Sequence, residues 1–188
     1  MKFLPFIVAV GIATQASAAV LLTIDPSNPS AVTFAATSNA AEVDEVFSTS
    51  TLGGITLVNI LAAPNPAAFD PRSSSGASSL LSDGMSIDRL ESITSNDGNT
   101  NATSLTLWDN TSNNGEGMDF STSSPAFSGS AAFDLSEATF TIGSTGNIIS
   151  GDTVSGSGSI IGQWRVVPEP SSSLLLALAG LLALRRKR

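Results

Sequence analysis

The 188-residue chain has no cysteine, no histidine and no tyrosine, and only 8 basic side chains. Without cysteine, neither disulfides nor thiolate metal sites can stabilise a fold. Without histidine, the side chain that most often serves as a general base near neutral pH is missing. Both lysines, Lys2 and Lys187, sit at the chain ends, so a serine–lysine pair is also unavailable to the interior. The other basic residues are equally sparse: Arg185, Arg186 and Arg188 join Lys187 at the end, and only Arg72, Arg89 and Arg165 lie between. With both ends set aside and Glu169 kept, 3 positive charges face 16 negative ones, a net of −13. Such a surface repels nucleic-acid phosphate and anionic headgroups, so nucleic acid is not an expected partner.

What is present is concentrated at the two ends. The start, MKFLPFIVAVGIATQASAAV, has a positive Lys2, an apolar stretch from Phe3 to Ile12, and small residues at Ala16 and Ala18. This order is that of a secretory signal peptide over residues 1–18, with signal peptidase cutting before Ala19. The other end reads VPEPSSSLLLALAGLLALRRKR. Leu174 to Leu184 is apolar or small throughout, which suits a membrane helix and not an amphipathic surface helix. The run is short for a full span, so the preceding serines and the snorkelling of Arg185, Arg186, Lys187 and Arg188 would have to extend it. The basic residues place that end in the cytoplasm and the preceding domain outside it. Ahead of the helix, two prolines bracket a glutamate in Val167-Pro168-Glu169-Pro170, holding it in extended, exposed backbone.

Pro168-Glu169-Pro170, the apolar Leu174–Leu184 and the basic Arg185–Arg188 together resemble the PEP-CTERM sorting signal of bacterial surface and exopolysaccharide-associated proteins. The resemblance covers residues 167–188. It implies that a membrane enzyme of the exosortase type recognises the motif and removes the tail. The membrane lipid contact of the helix would then be transient, and the chain would pass to the cell surface or extracellular matrix, with extracellular polysaccharide as a further partner. In that reading Val167, Pro168, Glu169 and Pro170 are substrate residues, not catalytic ones.

The body between the signals, residues 19–166, is expected to be all-β. Ala19–Ile24 and Ala31–Ala36 flank a turn at Asp25–Pro29; Ile55–Leu61, Ser104–Trp108, Ala131–Leu135, Phe140–Ile142 and Ser159–Val167 also read as strands. Turn residues separate them, as in Asn96-Asp97-Gly98, Asn113-Asn114-Gly115, Gly143–Gly146 and Gly151-Asp152. Short strands with such turns predict a single antiparallel β-sandwich or jelly roll. In the last strand, Ile160, Gly162, Trp164 and Val166 should face the core and Arg165 the solvent. Over Leu80–Leu90 a short helix and a strand fit equally well, and Ala63–Ser79 reads as the longest loop.

The body offers little chemistry. Asp88 and Glu91 could share a helix face, and Asp44 and Glu45 would point to opposite sides of a strand; neither is a defined acid pair for glycoside hydrolysis. No catalytic residue is therefore assigned and the protein is expected not to be an enzyme. Asp109, Asn110, Thr111, Asn113, Asn114, Glu116 and Asp119, with Asp97, Asn99 and Asn101, supply hard oxygen ligands for Ca²⁺, but their spacing fails the EF-hand pattern and solvated turns account for them better. No cofactor and no metal is expected beyond that candidate. Trp108 and Trp164 could stack on a sugar, although their apolar strand contexts favour core packing. Asn101-Ala102-Thr103 and Asn110-Thr111-Ser112 match the N-glycosylation sequon. The reading is thus an exported structural or adhesive surface protein, with a Ca²⁺-dependent lectin-like module as the alternative and a carbohydrate hydrolase as a more distant one.

Overall fold

Alternation of apolar and polar side chains sets most of the strands. The computed structural model describes residues 18–46, 54–63, 72–76, 78–92, 103–108, 118–151 and 158–167. Eleven strands are found among them: β1 (Val20–Asp25), β2 (Val32–Ala36), β3 (Gly54–Leu57), β4 (Arg72–Ser73), β5 (Leu81–Ser82), β6 (Met85–Ser86), β7 (Arg89–Ser92), β8 (Leu105–Trp108), β9 (Ser130–Phe133), β10 (Thr145–Ser150) and β11 (Ile160–Val166). The expected turn after β1 forms around Asp25, whose Oδ1 accepts the N–H of Ser27 at 3.0 Å, and runs into a single 3-10 turn, Pro29–Ala31. Proline suits its first position because its φ is already set and its missing N–H costs nothing there.

The described residues are all-β apart from that single turn, but the strands do not divide between two packed sheets. Nine lie in one sheet, in the order β4-β7-β8-β3-β10-β11-β1-β2-β9, and β5 and β6 form a separate hairpin. That sheet bends round until its ends nearly meet. After β4 pairs with β7 at one edge, the chain crosses to the other: Ser75 and Ser79 N–H groups donate to the carbonyls of Ala132 and Ser130 of β9, at 2.7 and 2.9 Å, and Leu81 bridges Ser128. Closure of this kind satisfies edge groups that an open sheet leaves exposed. Nor is every pairing antiparallel, since β1 and β11, the first and last strands, run parallel.

One face of the curled sheet makes the core. Leu22, Ile24, Val32, Phe34, Ile55, Leu57, Leu90, Leu105, Leu107, Phe133, Ile148, Trp164 and Val166 are all essentially inaccessible to solvent. Phe34 and Phe133 meet edge to face, with ring centres 5.6 Å apart. Trp164 is in the core as expected, and its indole N–H donates to the carbonyl of Val58 at 3.1 Å. Arg165 is exposed, also as expected.

The expected phase of β11 fails at its start. Ile161 is buried, whereas Ile160 is 47% exposed. The cause is a β-bulge: Ile148 pairs with Gly162 but Ile149 pairs with Ile160, so Ile161 is the extra residue. An inserted residue shifts the two-residue alternation by one on its far side. The bulge has a counterpart in β1, where the register jumps between Val20 and Leu22 and both Leu21 and Leu22 are buried. The two strands lie so close there that a Cβ on Gly162 would come within 2.6 Å of Leu21 Cγ.

The segment Leu80–Leu90 is not helical. Asp83 (φ 48°) and Gly84 (φ 79°) form a two-residue loop that pairs Leu81 with Ser86 and Ser82 with Met85. Positive φ at both central positions is the geometry of a tight hairpin turn, for which Asp-Gly is well suited. The expected loop Ala63–Ser79 holds the short strand β4. Phe140 makes only an isolated bridge to Leu61, and Ile142 stands 54% exposed, so the expected strand there does not extend. Among the described residues no helix is long and apolar enough to cross a membrane. The expected signal peptide up to residue 17 and the expected membrane helix 174–184 lie outside the described residues.

Candidate functional site

The sequence leads to an expected signal at each end of the domain, and the structure describes the residues that adjoin them. At the C-terminal end, Val166 donates to Ser144 O and accepts from Gly143 N–H, both at 2.9 Å, and Val167 N–H donates to Ile24 O at 2.8 Å. Val167 is therefore still part of the ladder. The next residue in the sequence, Pro168, has no N–H to donate to a ladder. The recognition segment is thus joined to the domain without a linker. Beside this exit lies an apolar groove of about 240 Å³, lined by Pro26, Pro29, Val32, Leu135, Phe140 and Ile142 among others. Pro168, Glu169, Pro170 and the basic residues Arg185, Arg186, Lys187 and Arg188 lie outside the described residues.

At the N-terminal end, Ala18 and Ala19 are described and Ala16 is not. The ladder begins at once after them: β1 starts at Val20, and Ala19 O accepts the N–H of Gln163 at 2.8 Å. Ala19 N–H donates to Glu42 Oε1 at 2.6 Å. A cut before Ala19 would turn this amide into an ammonium facing a carboxylate already in place, with no strand disturbed.

Among the acids, Asp44 is the one with a clear electrostatic signature. It accepts the backbone N–H of Thr122 at 2.7 Å and the Thr122 hydroxyl at 3.1 Å. The Thr122 backbone bond above all, then the hydroxyls of Thr122 and Ser121, hold its carboxyl below the ordinary aspartate range. Asp44 thereby ties the strand-like stretch Glu45–Phe120, bridged in both directions at 2.9 and 2.8 Å, to the following turn. Its contacts are those of a structural clamp. Asp88 and Glu91 fall before and within β7, so they share no helix face. Among the described residues no group of three or more acidic side chains converges on a metal position. Of the candidate Ca²⁺ ligands only Asp119 is described, and it is exposed; 97–101 and 109–116 lie outside the described residues, as do both sequon asparagines, Asn101 and Asn110.

The two tryptophans part company. Trp164 packs in the core, whereas Trp108 stands half-buried on the outer face of the sheet, opposite Arg89 of β7 and Gly54 of β3. Two-residue alternation separates them: Trp108 is in phase with Ser104 and Thr106 of its strand and Trp164 with Gly162 and Val166, so core packing, expected of both, holds for Trp164 alone.

Among curated proteins and among solved structures, no match to the chain is found. Residues 166–188, at the C-terminal end, match the family model of the PEP-CTERM protein-sorting motif.

Proposed function

We propose that this is an exported, non-enzymatic bacterial protein that is sorted to the cell surface through its C-terminal signal and serves there in a structural or adhesive role, in contact with extracellular polysaccharide. The motif match at 166–188 carries the sorting part of the reading. In sequence of events, signal peptidase cuts before Ala19, the apolar run Leu174–Leu184 holds the chain in the inner membrane, and an exosortase-type enzyme acts at Pro168-Glu169-Pro170. The hydrogen bond from Val167 N–H to Ile24 O supports a division of labour: the folded sheet ends where the enzyme's substrate begins. A nearly closed β-architecture in a chain with no histidine or cysteine suits a durable extracellular module.

The test is the intact mass of the protein recovered from native cells and medium, beside a Glu169→Ala variant. Loss of residues 1–18 and of the tail in the wild type, with the tail retained in the variant, is the expected result. Retention of Leu174–Arg188 in both would make the ending a permanent anchor and sink the sorting reading.

A further inference from the structure

The outer face of the sheet carries a row that the core does not use: Ser73 of β4, Arg89 of β7, Trp108 of β8 and Gly54 of β3 are successive cross-strand partners. Side chains directly opposite on neighbouring strands have Cβ atoms about 4.5–5.5 Å apart, so Arg89 and Trp108 are side-chain neighbours. The face is sheltered at this point, since the next outward pair, Thr56 and Thr106, is buried. Arg89 Nη1 donates to Ser73 Oγ, which fixes the guanidinium from its far edge. Arg89 Nε and Trp108 Nε1 are both buried, and among the described residues neither has an acceptor.

Two orphaned donors on cross-strand partners, one of them on a cation, are costly unless something accepts from them. Both are donors only, so the missing partner is an acceptor. The edge of a guanidinium that carries Nε–H is one that carboxylates engage in a side-on fork, and the Ser73 bond to Nη1 does not use that edge. A neutral carbonyl would satisfy the hydrogen bonds but would not balance the guanidinium's charge, for which no carboxylate is in place among the described residues.

We propose that Arg89 and Trp108 form a seat for one carboxylate on the outer face of the sheet, with Arg89 Nε–H and Trp108 Nε1–H donating to its oxygens. The carboxylate belongs either to an acidic ligand such as a uronic acid or to the chain itself. This assignment does not rest on the sorting reading.

The chain has two tryptophans, so a ¹⁵N-labelled full-length sample in detergent micelles gives two indole N–H signals, and Trp164, tied to Val58, serves as the internal reference for folding. The sample is titrated with sodium glucuronate, and separately with glucose and with sodium chloride at matched ionic strength. For an external ligand, the Trp108 indole and Arg89 Nε–H signals move together and saturably with glucuronate alone, and Trp164 stays still. If the chain's own carboxylate fills the seat, glucuronate moves neither signal, but acidification through the carboxylate range moves both together. Arg89→Gln removes either response with Trp164 unshifted; Trp108→Phe weakens glucuronate binding about tenfold, the equivalent of one charge-assisted hydrogen bond. The proposal is overturned if the Trp108 signal responds to neither treatment, or responds equally in the Arg89→Gln variant.

Discussion

The packing of Trp164 over Gly146 gives the sharpest stability prediction. The two residues are directly opposite in the β10/β11 pair. A Cβ on Gly146 would lie 2.4 Å from Trp164 Cζ2, 2.6 Å from Cε2 and 2.8 Å from Nε1, well inside van der Waals contact. The indole has little room to retreat, being 1% exposed and held to Val58 O at 3.1 Å. For Gly146→Ala, overpacking costs about 1–3 kcal/mol. Losing the indole hydrogen bond adds about 1–3 kcal/mol, and the lower chain entropy of alanine in a strand returns about 0.5–1 kcal/mol. The expected net loss is about 2–4 kcal/mol, or roughly 5–12 °C in Tm for a domain of this size. The decisive comparison is with Trp164→Phe. Phenylalanine lacks the atoms that collide with the new methyl, so Gly146→Ala should cost far less in that background. Urea unfolding followed by far-UV circular dichroism on the wild type, both single variants and the double variant measures the coupling, expected at about 1.5 kcal/mol or more. Additivity within about 0.5 kcal/mol would refute the claim that this contact is what requires glycine.

The lowered pKa of Asp44 sets a pH dependence. A carboxyl depressed in the folded state adds stability above its unfolded value, and that contribution disappears as pH falls through the folded value. Urea midpoints should therefore be higher for wild type than for Asp44→Asn at about pH 6 and should converge in acid, as the pH falls below the ordinary aspartate range and through the lowered folded value; a gap that persists once Asp44 is protonated would rule out its ionisation as the source. At the other end, a chain beginning at Ala19 should melt about 1–3 °C above its Glu42→Gln variant at neutral pH, and N-acetylation should remove the difference. Equal melting temperatures in the unacetylated pair would show that the ammonium does not engage Glu42.

The readable parts of this fold were those governed by local pattern. β1, β2, β8, β9 and β11 were announced by alternating apolar residues, and the turn at Asp25–Pro29 by its residue types. β10 was not, because Thr145-Gly146-Asn147 looks like turn chemistry; its glycine answers to an indole on the neighbouring strand, which no window of the β10 sequence contains. The reversed phase of Ile160 and Ile161 was hidden for the same reason, since a bulge is a property of two strands. The Leu80–Leu90 hairpin is different: the mixed spacing of Met85, Ile87 and Leu90 leaves helix and strand even, and the turn residues Asp83-Gly84 are what decide for the hairpin. One curled sheet in place of two packed ones depends on the crossing at Ser75–Leu81, and on a parallel pair between residues about 140 positions apart in the chain, neither of which periodicity can report. At the candidate sites, the sorting signal was legible because an enzyme reads it as linear sequence. The row of Ser73, Arg89 and Trp108 was not, since three strands assemble it.

The parallel pairing of β1 with β11 also decides how the domain bears load. Ala19 leads into one strand and Val167 leads out of the other, and with the strands side by side and pointing the same way these two points lie toward opposite ends of the pair. Tension applied between them runs along both strands and strains their shared hydrogen bonds together, in shear. In an antiparallel pair the two points would sit at one end, and the bonds would open one after another like a zip. A chain gripped at its C-terminal side and pulled through its N-terminal side therefore meets its strongest mechanical direction at the seam where its first and last strands join.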